Sequence, residues 1–227
     1  MPLLKERRLV KTTKFKNPNY VGDPINAVKI FNDKEVDELV LLDISATKES
    51  KNIDFDILSD FAKECFMPLS YGGGVNKIED FKRLFQLGIE KVVVNSLIFD
   101  NPTIVSDACK AFGGQSIVAT IDIKRSESRR FEIFSHSNRK THTDFYKFIE
   151  FVISLGVGEI FLSSVDKDGT WSGYDLELIK SLTESVDIPI VASGGCGNID
   201  HIKEALYDSN SQGVAIGSMA VYQKQNM

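Results

Sequence analysis

SYGGGVNKIEDFKRLF, residues 70–85, sets three glycines between a strand-like run and a helix-like one, and ASGGCGNIDHIKEAL, residues 192–206, follows the same plan. The echo keeps its register: Gly73 and Gly194, Gly74 and Gly195, Ile78 and Ile199, and Lys82 and Lys203 each lie 121 residues apart. The same offset relates Glu38 to Glu159, Leu41 to Leu162, Asp54 to Asp175 and Ile57 to Leu178. One half of the chain is therefore a diverged copy of the other.

Working outward, short β-branched runs alternate with longer stretches of helical period. The runs are LVLLDI (39–44), MPLSY (67–71), KVVVN (91–95), SIVATIDI (116–123), EIFLSSV (159–165), IPIVAS (188–193) and GVAIG (213–217). Most are continuously apolar, as strands covered on both faces must be. Between them lie amphipathic stretches such as IEDFKRLFQLG and DLELIKSLTES, often opened by Asp or Asn and closed by Gly. Two halves of roughly four βα units can close as a (β/α)8 TIM barrel or lie open as a doubly wound sheet. The barrel is the expected fold, because it accommodates duplicate glycine loops on opposite sides of one axis, whereas an open sheet usually carries one nucleotide loop at a switch point. A single α/β domain over residues 1–227 is expected, with half-barrels of about 1–115 and 116–227. Against ~250 residues for such a barrel, the first strand and last helix read as clipped.

Composition narrows the function. The chain has 227 residues, 42% hydrophobic and 26% charged, with a net charge of -5 and a pI near 5.3. That balance argues against a general nucleic-acid or membrane-surface binder but leaves room for small anions in local basic pockets. Cys65, Cys109 and Cys196 are too few and too scattered for a disulfide framework or zinc knuckle. With no signal-like or membrane-spanning run, the expected location is cytoplasmic. GGGVNK lacks the ending of a P-loop and is not GxGxxG. No metal site and no cofactor are expected.

In a barrel, everything just after a strand lies on the C-terminal face, where the chemistry resides. One set of loop residues there is Gly73, Gly74, Asn95 and Ser96; the other is Asp168, Gly169, Thr170, Ser193, Gly194, Gly195, Gly217 and Ser218. Glycines before a helix let backbone N–H groups approach an anion, and small hydroxyls add donors. Two opposed cradles imply a substrate with a phosphate or similar anion at each end. The plainer reading of any single glycine pair is a tight strand-to-helix turn, and a duplication would preserve that as well.

Together, GDPINAVKIF, DELVLLDISAT, PLSYGGGV, KVVVNS, IDIKR, GEIFLSSVDKDGTWSGYDLELI and IPIVASGGCG resemble the HisF family, the cyclase subunit of imidazole glycerol phosphate synthase. The resemblance covers about residues 8–222. It implies the duplicated barrel, a bisphosphorylated substrate, and ammonia supplied by a HisH-like glutaminase in a heterodimer. It assigns Gly73, Gly74, Asn95 and Ser96 to one phosphate site, and Gly169, Thr170, Ser193, Gly194, Gly195, Gly217 and Ser218 to the other. Asp122 matches one of two catalytic aspartates, Asp43 a further active-site acid, and Lys11 a lysine of the family's V-K-G-x-N-F stretch, written here VKTTKF. Glu38, Lys91 and Glu159 match three members of a charged ring that gates ammonia at the N-terminal face.

The other catalytic aspartate fails to match. Counting back from Lys11, its position falls on Leu3, and aligning Lys5 with Lys124 across the repeat sets Leu3 opposite Asp122. A leucine cannot exchange a proton. Glu6, in the charged KERR turn, would need a slip of three residues to substitute.

The stretch RLVKTTKFKNPNYVGDPINAVKIFNDKEVDELVLLDI is more similar to HisF-like paralogues of bacterial surface-sugar biosynthesis, in flagellin glycan and O-antigen pathways. That resemblance implies delivery of ammonia for acetamidino sugars, with a sugar amidotransferase as a second partner. A genuine cyclase of histidine biosynthesis and a phosphosugar isomerase of the sister barrel type stand as alternatives. His136 and His142 read as exposed loop histidines, His201 as a surface helix residue, and Trp171 as a cover over the site.

Overall fold

The computed structural model describes residues 1–46, 52–135, 141–142 and 144–222. Its strands in chain order are β1 (Leu3–Lys5), β2 (Arg8–Thr13), β3 (Lys16–Gly22), β4 (Leu39–Asp43), β5 (Leu69–Gly72), β6 (Lys91–Val94), β7 (Ile117–Arg125), β8 (Phe131–Phe134), β9 (Thr141–His142), β10 (Glu159–Ser164), β11 (Ile190–Ser193) and β12 (Gly213–Ala215). The helices are α1 (Pro24–Asp33), α2 (Phe55–Glu64), α3 (Ile78–Gln86), α4 (Ser96–Asp100), α5 (Pro102–Phe112), α6 (Phe145–Ser154), α7 (Leu176–Thr183), α8 (Ile199–Lys203) and α9 (Ser218–Val221).

Eight strands run parallel in the order β1, β4, β5, β6, β7, β10, β11, β12. The order follows the chain, as right-handed βα units laid side by side require. The two ends of this path meet: the Met1 amine donates to the Ile216 carbonyl at 2.5 Å. Packing gives the stronger argument for a barrel. Val93, Val118 and Phe161 form a buried interior cluster that also touches Met1, Val40, Leu42, Val191 and Ala215. Side chains from both ends of the path can share one cluster only if the sheet curls into a barrel, with alternate residues of each strand turned inward. A separate core fills the layer between strands and helices, from Leu39 and Leu41 through Phe61, Phe81 and Ile117 to Ile160 and Leu182.

The duplication read from the sequence reappears in backbone detail. Asp54 (φ -84, ψ 84) and Asp175 (φ -83, ψ 84) cap α2 and α7, accepting from the amides of Ile57 and Leu178. Short polar caps of this kind satisfy an amide that a helix start leaves open. Each half also carries an antiparallel hairpin after its first strand, β1–β2–β3 and β7–β8–β9. Arg7 reaches Asp54 through Nε (2.6 Å) and a terminal guanidinium nitrogen (2.9 Å). Arg125 makes the same bidentate contact with Asp175, at 3.0 and 2.7 Å. Each hairpin is thereby tied to the start of the helix that follows the half's second strand.

The last helix among the described residues is α9, of four residues, and α8 passes into a π turn at Glu204–Asp208. One side chain differs from expectation. Trp171 does not cover the main cavity; it lines a second hollow with Leu9, Ile30, Ile199 and Val221 on the outside of the barrel. A positive φ of 62° at Trp171 shows why sequence misplaced it, since a left-handed turn re-aims the side chain. His136 and the side chain of His142 lie outside the described residues.

Candidate active site

At the C-terminal face a cavity of about 170 Å³ opens into the barrel mouth. Its wall includes Leu3, Asp43, Gly73, Gly74, Asn95, Ser96, Thr120, Asp122, Ser163 and Asp168. Residues from β1, β4, β5, β6, β7 and β10 thus converge, as strand ends of a barrel must. The first anion cradle and both matched acids fall inside it.

Each acid is held differently. Asp122 is buried and accepts from Asn95 Nδ2 at 2.9 Å, while the same nitrogen donates to the Thr120 carbonyl at 2.9 Å. Asp43 turns Oδ1 back onto its own loop, accepting from the Ser45 amide (2.9 Å), the Ser45 hydroxyl (2.7 Å) and the Ala46 amide (3.1 Å). That is an Asx turn, so part of Asp43's role is to shape the loop. Asp168 Oδ2 accepts from the Thr12 hydroxyl (2.9 Å) and the Phe15 amide (3.2 Å). Burial holds the Asp168 carboxyl above its ordinary range, against the pull of those donors and of Lys11.

Lys11 is buried, beside Gly217, and donates to the Met1 carbonyl. Desolvation brings its ammonium from 10.5 down to about 8, with Asp168 opposing. Leu3, 7% exposed, presents hydrocarbon where the sequence comparison places the second acid. Glu6 sits in the β1–β2 turn with a positive φ of 49° and does not line the cavity.

The glycines answer both readings at once. A Cβ on Gly73 would stand 2.4 Å from the Asp43 carbonyl oxygen, and one on Gly194 2.6 Å from that of Ser164. Their φ values are +122° and +98°. Packing against the preceding strand end therefore requires glycine in both halves, whatever the loops bind. The second cradle is less gathered: Gly169, Thr170, Ser193, Gly194, Gly195, Gly217 and Ser218 are outside the cavity wall. The Thr170 hydroxyl donates to the Lys167 carbonyl at 2.8 Å, and Gly169 packs on the Thr12 carbonyl.

At the opposite face, Lys91 Nζ bridges Glu38 and Glu159 at 2.9 Å each, and the Ser70 hydroxyl donates to Glu38. Lys91 and Glu159 begin their strands and Glu38 immediately precedes β4, so the three meet at the strand starts. Burial pulls the Lys91 ammonium down, but the bonds to Glu159 and Glu38 outweigh it and hold it above its usual value.

Sequence reasoning missed Ser70, Thr120 and Ser163. The signal was the strand period: Val118, Thr120 and Asp122 alternate onto one face of β7, so a hydroxyl two residues before the acid had to point into the barrel. No group of three or more His, Cys, Asp or Glu that could hold a metal occurs among the described residues, and no described helix is long and apolar enough to cross a membrane.

Fold and site define a half-barrel-duplicated (β/α)8 protein with a cavity at the strand C-termini and a charged cluster at the strand N-termini. The chain belongs to the histidine biosynthesis protein family, which matches residues 3–226, and within it to the HisF group. A Leptospira borgpetersenii protein provisionally named imidazole glycerol phosphate synthase subunit HisF is 45% identical over 222 residues, 97% of this chain and 87% of that protein. A Vibrio vulnificus relative, provisionally subunit hisF3, is 41% identical over 97% of this chain and 85% of its own length. One from Pseudomonas aeruginosa, provisionally subunit hisF2, is 40% identical over 97% and 88%.

Proposed function

We propose that this chain is a HisF-type subunit that receives ammonia from a HisH-like glutaminase and delivers it for acetamidino surface-sugar synthesis with a sugar amidotransferase. The observation that carries the reading is Leu3 in the cavity wall, across the repeat from Asp122. Cyclase chemistry needs an acid and a base on opposite sides of the substrate, and removing one costs ~10²–10⁴-fold. Delivery of ammonia needs neither. The numerals in the names of two relatives, hisF2 and hisF3, fit additional copies of a subunit.

The conduit is supported by the layering of the interior. Glu38, Lys91 and Glu159 close the face where the glutaminase would dock. Above them lies the apolar cluster of Val93, Val118 and Phe161, which a neutral molecule crosses at far lower cost than an ion. The cavity follows.

A cyclase of histidine biosynthesis is the second reading, favoured by Asp122 and the first cradle sharing one cavity. The deciding experiment titrates the purified protein with the bisphosphate substrate of the histidine cyclase in the presence of an ammonium salt, following binding heat and substrate loss. Binding without turnover, or neither, is expected; turnover near that of an intact cyclase would overturn the delivery reading.

A further inference from the structure

A helix on the outside of a barrel buries one stripe and turns a polar face to water. α6, FYKFIEFVIS, follows the first half of that rule, with Phe145, Ile149 and Val152 in the core. Its outward face departs from the second half: Tyr146 is 53% and Phe151 39% exposed. Among the described residues it is the one helix that exposes two large apolar side chains; Ile30 of α1 and Ile199 of α8 are single, and both line the hollow beside Trp171. Neighbouring rings prop the α6 aromatics in place. Phe151 packs on Phe148 with ring centres 6.1 Å apart, Phe148 stacks on Phe99 of α4 at 4.9 Å, and Tyr146 meets Phe145 edge-on at 5.1 Å. Side chains held in this way lose little further freedom when a partner covers them.

The order of residues on this face restricts the partner. At 3.6 residues per turn, Tyr146, Lys147, Glu150 and Phe151 fall within one outward arc of about 140°. Tyr146 and Phe151 are equidistant from the midpoint between Phe148 and Ile149, and so are Lys147 and Glu150. The face is therefore complementary to itself. A second α6 laid antiparallel on the first, about a two-fold axis through that midpoint, sets each Tyr146 against the other copy's Phe151 and each Lys147 against the other copy's Glu150. Lys147 already holds Asp144 at 2.9 Å, and the two-fold arrangement gives its ammonium a second carboxylate. A parallel pairing would set Lys147 on Lys147 and Glu150 on Glu150, which like-charge repulsion opposes.

We propose that α6 is the interface of a homodimer, in which two copies of this chain meet antiparallel on Tyr146, Lys147, Glu150 and Phe151. The helix belongs to the outer layer, so the dimer leaves open both the strand starts with Glu38, Lys91 and Glu159 and the cavity at the strand ends. The ten residues of α6 span ~15 Å, and a contact centred on them falls short of the ~800 Å² per partner of a stable complex. The dimer is therefore weak: it forms between micromolar and submillimolar concentration and dissociates on dilution.

Sedimentation of the whole chain across that concentration range tests the proposal. The average mass is expected to climb from 25.3 kDa toward twice that value and not past it. Phe151→Glu should weaken association about tenfold or more, and Lys147→Glu about threefold or more, because it faces Glu150 of the second copy. Adding Glu150→Lys to Lys147→Glu restores the pair with reversed polarity, and association should return to within about twofold of the parent. Far-UV circular dichroism checks that each variant, altered on an exposed face, keeps its fold. A parent that stays monomeric throughout, growth beyond the dimer, Phe151→Glu associating like the parent, or a double reversal no better than the single one would each overturn the proposal.

Discussion

Leu3 and Asp122 occupy equivalent places in the two halves of the barrel: Leu3 pairs in register with Leu42 on β4, Asp122 with Ser163 on β10, and Leu42 and Ser163 are themselves 121 residues apart. The two halves thus carry a leucine and an aspartate at one equivalent position of the sheet.

Leu3→Asp is expected to place a second carboxyl in the cavity wall across from Asp122. If Asp122 and the first cradle are competent, turnover of the cyclase bisphosphate with ammonium should rise by at least ~10² over the parent protein. The variant should also lose stability, by about 2 kcal/mol, since it removes a buried leucine and buries a polar group. Steady-state kinetics and urea unfolding check the two effects. Unchanged turnover in a folded variant would mean that the rest of the site has diverged too.

At the other face, Lys91→Met leaves Glu38 and Glu159 without the ammonium that separates them. Their side chains are 27% and 17% exposed, so solvent screens part of the repulsion. A loss of about 1–3 kcal/mol in urea unfolding is expected, and Ser70→Ala, which removes one hydrogen bond to Glu38, should cost about 1 kcal/mol. In a complex with the glutaminase, leakage of ammonia into solvent is expected to rise for Lys91→Met while glutamine hydrolysis continues. A variant that transfers ammonia as completely as the parent would show the cluster to be a salt bridge only.

The barrel was legible because its evidence is periodic and repeated: apolar runs of parallel strands, and a 121-residue offset that survives in Gly73 and Gly194, Asp54 and Asp175. The Glu38–Lys91–Glu159 cluster was legible only through resemblance, since nothing local says that these three residues, far apart in the chain, meet at one face. Trp171 was misplaced because its direction depends on a left-handed backbone turn. Thr120 was passed over because an inward hydroxyl in IVATIDI matters only once Asn95, 25 residues earlier, is seen to reach the Thr120 carbonyl and Asp122 in the cavity wall. In the second cradle, Gly169, Gly194 and Gly195 pack closely on neighbouring backbone, and Gly217 on the end of the Lys11 side chain.

The two arginine clamps should differ in strength although their geometry is the same. Arg125 and Asp175 are 25% and 11% exposed, Arg7 and Asp54 62% and 33%. A bidentate pair partly shielded from water keeps more of its attraction. Arg125→Ala is expected to cost about 1–2 kcal/mol in thermal or urea unfolding, and its guanidinium also stacks on Phe131 at 4.7 Å. Arg7→Ala should be close to neutral. Equal losses would indicate that helix capping by the two aspartates, not the ion pairs, carries the effect.

Lys11 makes the stability of the fold depend on alkaline pH. Its folded-state pKa, about 8, lies below the ordinary 10.5. Between those values the unfolded chain holds a proton that the folded chain has released, so stability rises with pH across this window. Below about pH 8 both states carry the charge, and the folded state bears the cost of burying it, about 3 kcal/mol from the displacement. Lys11→Met removes that cost. The variant's advantage over the parent is expected to be largest near pH 7 and to shrink by about 3 kcal/mol as pH rises to 10.5, measured as paired urea titrations at each pH. Parallel stability curves would show that Lys11 titrates normally in the fold, and with it that the lysine lies closer to water than its burial beside Gly217 places it.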